Sequence, residues 1–193
     1  MAFADSDDFG SADLQSVQAV KLLIAGGFGA GKTTLVTAVS EITPLRTEEQ
    51  VTELSVGVDD LRGIERKTTT TVAMDFGRIT IDSEIVLYLF GTPGQDRFWF
   101  MWDELSTGAL GAVVLADTRR LDACFAPVDY FESRGIPFVI GVNCFDGADV
   151  YYEDEVRTAL ELPLDVPIVL CDVRSRESAK QVLLRLVEHL MAR

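Results

Sequence analysis

The chain is poor in basic residues and nearly free of histidine. Its 193 residues include 17 Lys and Arg against 31 Asp and Glu, which gives a formal net charge of −14. Because neutralising phosphates requires clustered positive charge, this balance argues against a nucleic-acid partner and against docking on an anionic membrane. The chain has a single histidine and no serine–base arrangement, so a serine-type hydrolase has no support.

Cysteines and long apolar runs are also scarce. Cys124, Cys144 and Cys171 are odd in number and lack zinc-site spacing, and each lies in or beside an apolar stretch. We therefore expect reduced, buried thiols, as in cytoplasmic proteins. No segment approaches the roughly 20 apolar residues of a membrane-spanning helix, and the acidic start lacks a signal-peptide pattern. The sequence predicts a cytoplasmic protein with no integral membrane segment.

What is present is the composition of a folded domain. Hydrophobic residues make up 48% of the chain and charged residues 25%, which is typical of globular proteins. Residues 1–18 are acidic and rich in small side chains, and we expect them to form a flexible leader. No repeat or linker divides residues 19–193, which we expect to form a single domain.

Residues 26–33 read GGFGAGKT and have the complete spacing of a phosphate-binding loop. Glycines let successive backbone N–H groups curl around phosphate oxygens, the lysine reaches the β- and γ-phosphates, and the first threonine ligates Mg²⁺. An apolar strand precedes the loop and a helical segment follows it, as the motif requires. The candidate phosphate-binding residues here are Gly27, Gly29, Ala30, Gly31, Lys32, Thr33 and Thr34.

The hydrophobic pattern alternates between strands and helices. After the first strand and helix, two alternating segments form a hairpin, and three continuous apolar runs follow, as in buried parallel strands. We therefore predict an α/β fold: a mostly parallel six-stranded sheet with one antiparallel edge strand and helices on both faces. Residues 43–70 and 91–108 are expected to be irregular. The predicted strands cover residues 19–25, 71–81, 83–90, 111–116, 137–142 and 167–171, and the helices 32–41, 121–134, 152–161 and 177–191.

Two later motifs narrow the class of phosphate-loop protein. Residues 91–95 read GTPGQ after the hairpin, and residues 143–146 read NCFD after the fifth predicted strand. With the phosphate loop, they resemble the switch regions and base-recognition motif of Ras-like small GTPases. The phrases GGFGAGKTT, TTTTVAMDFGR and FGTPGQDRF are similar to the bacterial gliding-motility branch, and within it to the actinobacterial GTPases of the conservon gene clusters. The resemblance implies the P-loop small-GTPase fold.

The resemblance implies a catalytic role for Gln95, Lys32 and Thr71. Thr71 stands where switch I supplies a threonine to Mg²⁺ and the γ-phosphate, although the threonine run leaves Thr70 as an alternative. With Thr33, Thr71 completes the implied metal ligands. Gly94 would donate its backbone N–H to the γ-phosphate, and Gln95 would orient the attacking water.

The resemblance also implies guanine recognition, with GTP or GDP and Mg²⁺ as cofactors. Asn143 would contact the N7 and O6 side of the base, and Asp146 would accept from N1–H and N2–H₂, a pairing that adenine cannot supply. Cys144 occupies the position of a lysine that usually packs over the base and the phosphate loop. Val173 and Arg174 fall in the last base-contacting loop.

Several residues depart from the common family pattern. Gly91 replaces the usual Mg²⁺-facing aspartate, so we expect either a weaker affinity for the metal or help from another acid such as Asp75 or Asp117. Phe28 is bulky at a loop position that is usually small, which predicts slow hydrolysis. Either Arg62 or Arg66 could act as an arginine in cis, or both could simply solvate a surface loop.

The resemblance implies a GTP-operated switch in a bacterial signalling complex. A roadblock-type regulator is the leading partner, and a sensor-kinase-like or pentapeptide-repeat protein is a further candidate; such partners could recruit the protein to membrane complexes. The aromatic block at residues 98–102 is either core or a partner surface, and at least one or two of its side chains should reach the surface. Two alternatives stay open: a nucleotide-binding module with negligible turnover, and an ATP-using P-loop enzyme.

Overall fold

The computed structural model of the chain describes residues 17–52, 69–94 and 96–193. The strands described in these ranges form one seven-stranded sheet in the order β2-β3-β4-β1-β5-β6-β7. Neighbouring strands are parallel except at the β2–β3 and β3–β4 pairings, so β3 alone among the described strands runs against the others. The strands are β1 (Gln18–Gly26), β2 (Leu45–Thr52), β3 (Thr69–Thr80), β4 (Ile85–Gly91), β5 (Ala109–Ala116), β6 (Phe138–Asn143) and β7 (Ile168–Cys171).

The predicted α/β fold, a mostly parallel sheet with helices on both faces, is confirmed, and every predicted strand is present. The helices are α1 (Lys32–Val39), α2 (Trp102–Ser106), α3 (Phe125–Arg134), α4 (Glu153–Ala159) and α5 (Arg176–Met191), with 3₁₀ helices over Asp96–Met101 and Thr118–Cys124.

Two segments that were expected to be irregular contain regular structure. Strand β2 lies inside residues 43–70 and pairs along its whole length with β3, so the antiparallel strand is not at the sheet edge. This edge strand reads LRTEEQVT, and its charged sequence hides it from a search for apolar alternation. Residues 96–106, inside the second segment, are helical, and the rings of Trp99 and Trp102 pack against aromatic side chains of α3.

The core consists of two clusters, one on each face of the sheet. On β5, Val113 and Leu115 point into the cluster under α1 and α5, while Val114 points into the cluster under α2, α3 and α4. This alternation follows from the pleat of a strand that is covered on both faces. Because the parallel strands run in one direction, the loops at their carboxyl ends lie together at one edge of the sheet. Open α/β folds bind ligands at this edge.

The cysteine prediction holds for two residues and is wrong for the third. Cys124 and Cys171 are buried, and burial raises the pKa of their thiols to about 11 and about 12. Cys144 is exposed, because it follows the last residue of β6 in the loop at the sheet edge. None of the described helices has the length and apolar character to cross a membrane. The leader prediction concerns residues that lie almost entirely outside the described ranges.

Candidate nucleotide site

The phosphate loop connects β1 to α1 at the carboxyl edge of the sheet. Gly31 immediately precedes α1 with a φ of +107°, in the left-handed region that disfavours side chains. A Cβ added there would lie 2.7 Å from Asn143 Nδ2 and 2.9 Å from Val173 Cγ2. Gly31 is therefore required both by the backbone and by the close approach of two other loops.

The Lys32 side chain folds over its own loop. Its Nζ donates hydrogen bonds to the carbonyl oxygens of Gly26 (2.8 Å) and Gly27 (2.7 Å). Burial of this ammonium lowers its pKa to about 8, against the opposing attraction of the Asp75 carboxylate. Neutral carbonyl oxygens are weaker partners for an ammonium than phosphate oxygens, so a phosphate can take these bonds over.

Gly94 meets the same ammonium from the other side. A Cβ added to Gly94 would collide with Lys32 Nζ and would lie 3.0 Å from the Gly27 carbonyl oxygen. The structure therefore brings together two motifs that lie more than 60 residues apart in the sequence. Gln95 lies outside the described residues.

A cleft of about 400 Å³ opens beside this point. Its walls include Gly27 and Phe28 of the phosphate loop, Gly94, and Arg120 from the segment after β5. The Phe28 side chain is 66% exposed, so it leans into solvent at the cleft rim and does not fill the core.

A hydroxyl and a carboxylate lie together where the metal ligands were predicted. Thr33 Oγ1 donates a 2.5 Å hydrogen bond to Oδ2 of Asp75, which is buried on β3. A Cβ added to Gly91 would lie 3.2 Å from the Asp75 Cβ and 3.4 Å from Oδ2. Asp75 therefore fills the volume next to Gly91, the position at which the sequence departs from the Ras-like pattern.

These donors fit Mg²⁺, which prefers oxygen ligands and takes few of them from the protein when it also binds phosphates. Within the described ranges no group of three or more His, Cys, Asp or Glu side chains could hold a metal ion. Asp117, the other acid considered, binds Arg119 through both carboxyl oxygens. Thr71 belongs to β3, where its backbone pairs with Gln50, and its side chain is outside the description.

Asn143 joins three loops at the inner end of the predicted base site. It is only 4% exposed, and its Nδ2 donates to the Ala30 carbonyl oxygen (3.0 Å) while its Oδ1 accepts from the Val173 N–H (3.2 Å). The phosphate loop, the end of β6 and the loop after β7 are therefore tied together by one buried amide.

Asp146 lies at the outer end, and its side chain is 85% exposed. Arg174 donates to both of its oxygens (2.7 and 3.1 Å) and also pairs with Asp172 (2.8 Å). These hydrogen bonds from Arg174 lower the pKa of the Asp146 carboxyl. The structure thus brings Asp146 and Arg174, both predicted guanine-binding residues, into direct contact, with Cys144 exposed on the same loop.

Sequence reasoning missed Arg119 and Arg120. Arg120 Nη2 donates a 2.6 Å hydrogen bond to the Phe28 carbonyl oxygen, and the Arg119 guanidinium lies 3.8 Å from the centre of the Phe145 ring. An available signal was the arginine pair two residues after Asp117, the aspartate at the end of a buried strand. Arg62 and Arg66 lie outside the described residues.

The chain belongs to the family described as conserved hypothetical ATP binding proteins, whose model matches residues 24–193. An uncharacterized protein of Methanocaldococcus jannaschii is 30% identical over 133 residues, which cover 68% of this chain and 73% of that protein.

Solved structures share the fold. The G domain of the FeoB iron transporter of T. maritima is 18% identical with a TM-score of 0.62, covering 89% of this chain and 99% of that one. The cytosolic domain of the same transporter, in a GDP form, is 17% identical with a TM-score of 0.63 over 90% of this chain and 64% of that one. The L. pneumophila FeoB cytosolic domain is 14% identical with a TM-score of 0.61, covering 89% and 68%. The chain therefore has the nucleotide-binding, G-domain-like P-loop fold.

Proposed function

We propose that this chain binds GTP and GDP with Mg²⁺ and hydrolyses GTP slowly, as a molecular switch. The observation that carries the proposal is the convergence of the Lys32 ammonium, the Gly27 carbonyl and Gly94 at one point. A γ-phosphate bound there contacts the phosphate loop and the start of the GTPGQ segment together. When the γ-phosphate is lost on hydrolysis, the GTPGQ segment loses this contact and can change conformation, as switch loops of nucleotide-dependent switches do.

In the reaction, Lys32 neutralises charge on the β- and γ-phosphates, and the Gly94 N–H donates to the γ-phosphate. Gln95 would orient the attacking water, and Thr71 would help to hold the metal and contact the γ-phosphate. A bound Mg²⁺ would supply positive charge to offset the negative charge of the phosphates. Thr33 would hold it, and Asp75 would supply the carboxylate that Gly91 lacks.

The base is assigned as guanine on the strength of Asn143 and Asp146. Asn143 is already oriented by two hydrogen bonds, and the Asp146 carboxylate matches the paired donors N1–H and N2–H₂. Cys144, Val173 and Arg174 complete the proposed base contacts. An ATP-using enzyme is the competing candidate, and the description of the family as ATP binding favours it.

Competition between nucleotides separates the two candidates. Purified protein is loaded with fluorescent GDP in the presence of Mg²⁺, and unlabelled GTP, GDP, ATP and ADP are added as competitors. We expect displacement by the guanine nucleotides at concentrations at least tenfold lower, because adenine cannot donate to Asp146. Equal or stronger displacement by ATP would support the ATP-using enzyme.

Slow turnover is proposed because Phe28 and Gly94 line the same cleft. A bulky ring at its rim restricts the space for Gln95 and for an arginine from a regulator. Single-turnover hydrolysis by the Phe28→Gly variant should be faster than by the unchanged protein. Arg62→Ala and Arg66→Ala test an arginine in cis, and unchanged kcat in both would leave these residues as surface cations.

A binding module with negligible turnover is the third candidate, favoured by Gly91 in place of an aspartate. Hydrolysis measured with and without a roadblock-type protein distinguishes it from a switch. A switch shows a rate that rises when the regulator is added. A module retains bound GTP in both conditions.

The proposed partner is a roadblock-type regulator, as in the gliding-motility and conservon-type GTPases that the sequence resembles. Phe100 is largely exposed beside the half-buried Trp99, while Phe98 and Trp102 are buried, so part of the aromatic block is available for contact. We place the protein in the cytoplasm, with recruitment to membrane complexes through partners. Sensor-kinase-like and pentapeptide-repeat proteins are further candidates.

A pull-down with GTP-locked and GDP-loaded protein tests this choice of partner. We expect a purified roadblock-type dimer to be retained by the GTP-locked form. Phe100→Ser should weaken that retention, and Leu164→Ser, which alters an exposed side chain on a loop between α4 and β7, is the matched control. Equal retention by both nucleotide forms would contradict a switch.

A further inference from the structure

The segment that follows β5 contains a buried acid between the two loops of the site. Asp117 is only 3% exposed and directly follows the last residue of the strand. The Arg119 side chain donates 2.8 Å hydrogen bonds to each of its carboxyl oxygens, and the Arg119 backbone N–H donates a third (3.1 Å). Arg120 Nη2 lies 3.6 Å from Asp117 Oδ2. Hydrogen bonds from Arg119 lower the pKa of the Asp117 carboxyl, so it is ionised at neutral pH.

Arg120 connects this acid to the phosphate loop. Its Nη2 donates to the Phe28 carbonyl oxygen (2.6 Å) and lies 3.1 Å from where a Cβ on Gly29 would stand. The backbone of Arg120 (φ −149°, ψ 57°) interrupts the 3₁₀ helix. Because the Phe28 ring is in solvent, it gives the tip of the loop little packing of its own. The hydrogen bond from Arg120 is therefore a principal tether of that tip.

Arg119 connects the same acid to the base loop. Its guanidinium lies 3.8 Å from the centre of the Phe145 ring, a cation–π contact within the NCFD motif. One buried carboxylate thus orients two cations, of which one contacts the phosphate loop and the other contacts the loop that carries Asn143 and Asp146.

The base loop, residues 143–146, contains no cationic side chain that could contact the phosphate loop. Residues 143–146 read NCFD, and the thiol of Cys144 is exposed. In the small GTPases that the sequence resembles, this position usually has a lysine that packs over the phosphate loop. Lys32 is engaged with Gly26 and Gly27. At the Phe28 carbonyl, the positive charge comes from Arg120.

We propose that Arg120 is a positioning residue that holds the phosphate loop in its nucleotide-binding shape and replaces the lysine missing at Cys144, with Asp117 orienting it. Arg119, held by the same acid, positions the base loop. The inference rests on the proposed nucleotide binding. Holding the loop in its bound shape before the ligand arrives removes an ordering cost from binding, and this raises affinity without a direct contact to the ligand.

The first experiment measures release of fluorescent GDP and inhibition by inorganic tripolyphosphate, which occupies the phosphate loop alone. Arg120→Ala should release GDP about tenfold faster and bind tripolyphosphate correspondingly less well, as expected for loss of one charge-assisted hydrogen bond. Arg119→Ala should weaken GDP binding and leave tripolyphosphate binding unchanged. Arg134→Ala is the matched control, because this arginine, the last residue of α3, is similarly exposed and pairs with Asp103 of α2.

The second experiment is a rescue. In the Arg120→Ala background, Cys144→Lys introduces a lysine on the base loop, and GDP release should slow to within about threefold of the unchanged protein, since it restores one charge-assisted hydrogen bond to the loop. Arg120→Lys should retain most of the effect of arginine. Failure of both lysine variants to slow release, with melting temperatures unchanged, would overturn the proposal.

A third measurement does not depend on nucleotide binding. Amide hydrogen exchange of residues 28–31 in the nucleotide-free protein should speed up in Arg120→Ala and not in Arg134→Ala, because the tether is part of the free protein. If the unchanged protein binds no nucleotide, the proposed function fails, while this measurement still tests the tether. Identical exchange in both variants would refute the positioning role of Arg120.

Discussion

The inner and outer halves of the site are built on different physical principles. In the inner half, Asn143 and Asp75 are buried, and their polar atoms bind partners on other strands and loops. In the outer half, Asp146, Arg174 and Asp172 are ionised side chains that pair with each other in solvent. Buried polar groups are costly to leave unpaired, whereas exposed ion pairs contribute little and exchange partners readily. We therefore expect the inner half to stabilise the folded site, and the outer half, whose ion pairs can exchange partners, to determine which base is bound.

The largest expected effect comes from removing the cation of the inner half. Lys32→Met should reduce the affinity for GDP and GTP alike by about 100-fold, because it deletes charge-assisted bonds to phosphate. The same change also removes an ammonium group that burial disfavours, as its pKa of about 8 shows, so the nucleotide-free protein should not lose stability. Titration with fluorescent nucleotide and thermal melting measure the two quantities. A variant that binds as tightly as the unchanged protein would show that phosphate does not occupy this loop.

The second test moves the carboxylate of Asp75 from β3 to position 91 on β4. Asp75→Ala should weaken Mg²⁺-dependent retention of GDP by about 10- to 100-fold, as expected for loss of an outer metal partner. Gly91→Asp alone places a second carboxylate beside the first, since its Cβ would be 3.2 Å from that of Asp75, and the protein should melt at a lower temperature. The double variant should recover both properties. Recovery is the sharp outcome, because damage unrelated to the acid would not be reversed.

Two substitutions, one in each half, separate the contribution to stability from the preference for one base. Asn143→Ala leaves the Val173 N–H and the Ala30 carbonyl without their buried partner, so the free energy of unfolding should fall by about 1–3 kcal/mol even without nucleotide. Asp146→Asn should leave unfolding unchanged and reduce the preference for guanine over adenine nucleotides by about tenfold. Chemical denaturation and nucleotide competition are the measurements. If both variants destabilise the protein equally, the two halves do not differ as described.

The same division explains which parts of the molecule the sequence reveals. Strands β5 and β6 are continuous apolar runs, and the phosphate loop has a fixed spacing, so local patterns suffice to predict them. Strand β2 is held by backbone pairing at the sheet edge and has no apolar alternation to detect. Its backbone pairing with β3 becomes visible only once the sheet is assembled.

The acid beside Gly91 illustrates a second limit. The sequence left Asp75 and Asp117 as alternative acids for the position beside Gly91. The antiparallel register, in which Phe76 pairs with Phe90, brings the preceding residue Asp75 next to Gly91. Asp117 instead binds Arg119 two positions later. The register between β3 and β4 determines the contact of Asp75 with Gly91, and a short local turn determines that of Asp117 with Arg119. No sequence motif predicts either contact.

The last expected effect is a pH dependence confined to the inner half. In the unfolded chain Lys32 has its ordinary pKa of 10.5, whereas in the folded protein burial lowers it to about 8. Between these values the unfolded chain binds more protons, so the stability of the empty protein should rise with pH from about 8 to 10.5, and Lys32→Met should lack this rise. Phosphate raises the lysine pKa again, so GDP binding above pH 8 should take up a proton and weaken by up to about tenfold per pH unit. Calorimetry in two buffers of different ionisation enthalpy counts that proton, and a count of zero at pH 9 would mean that the ammonium keeps its charge in the empty loop.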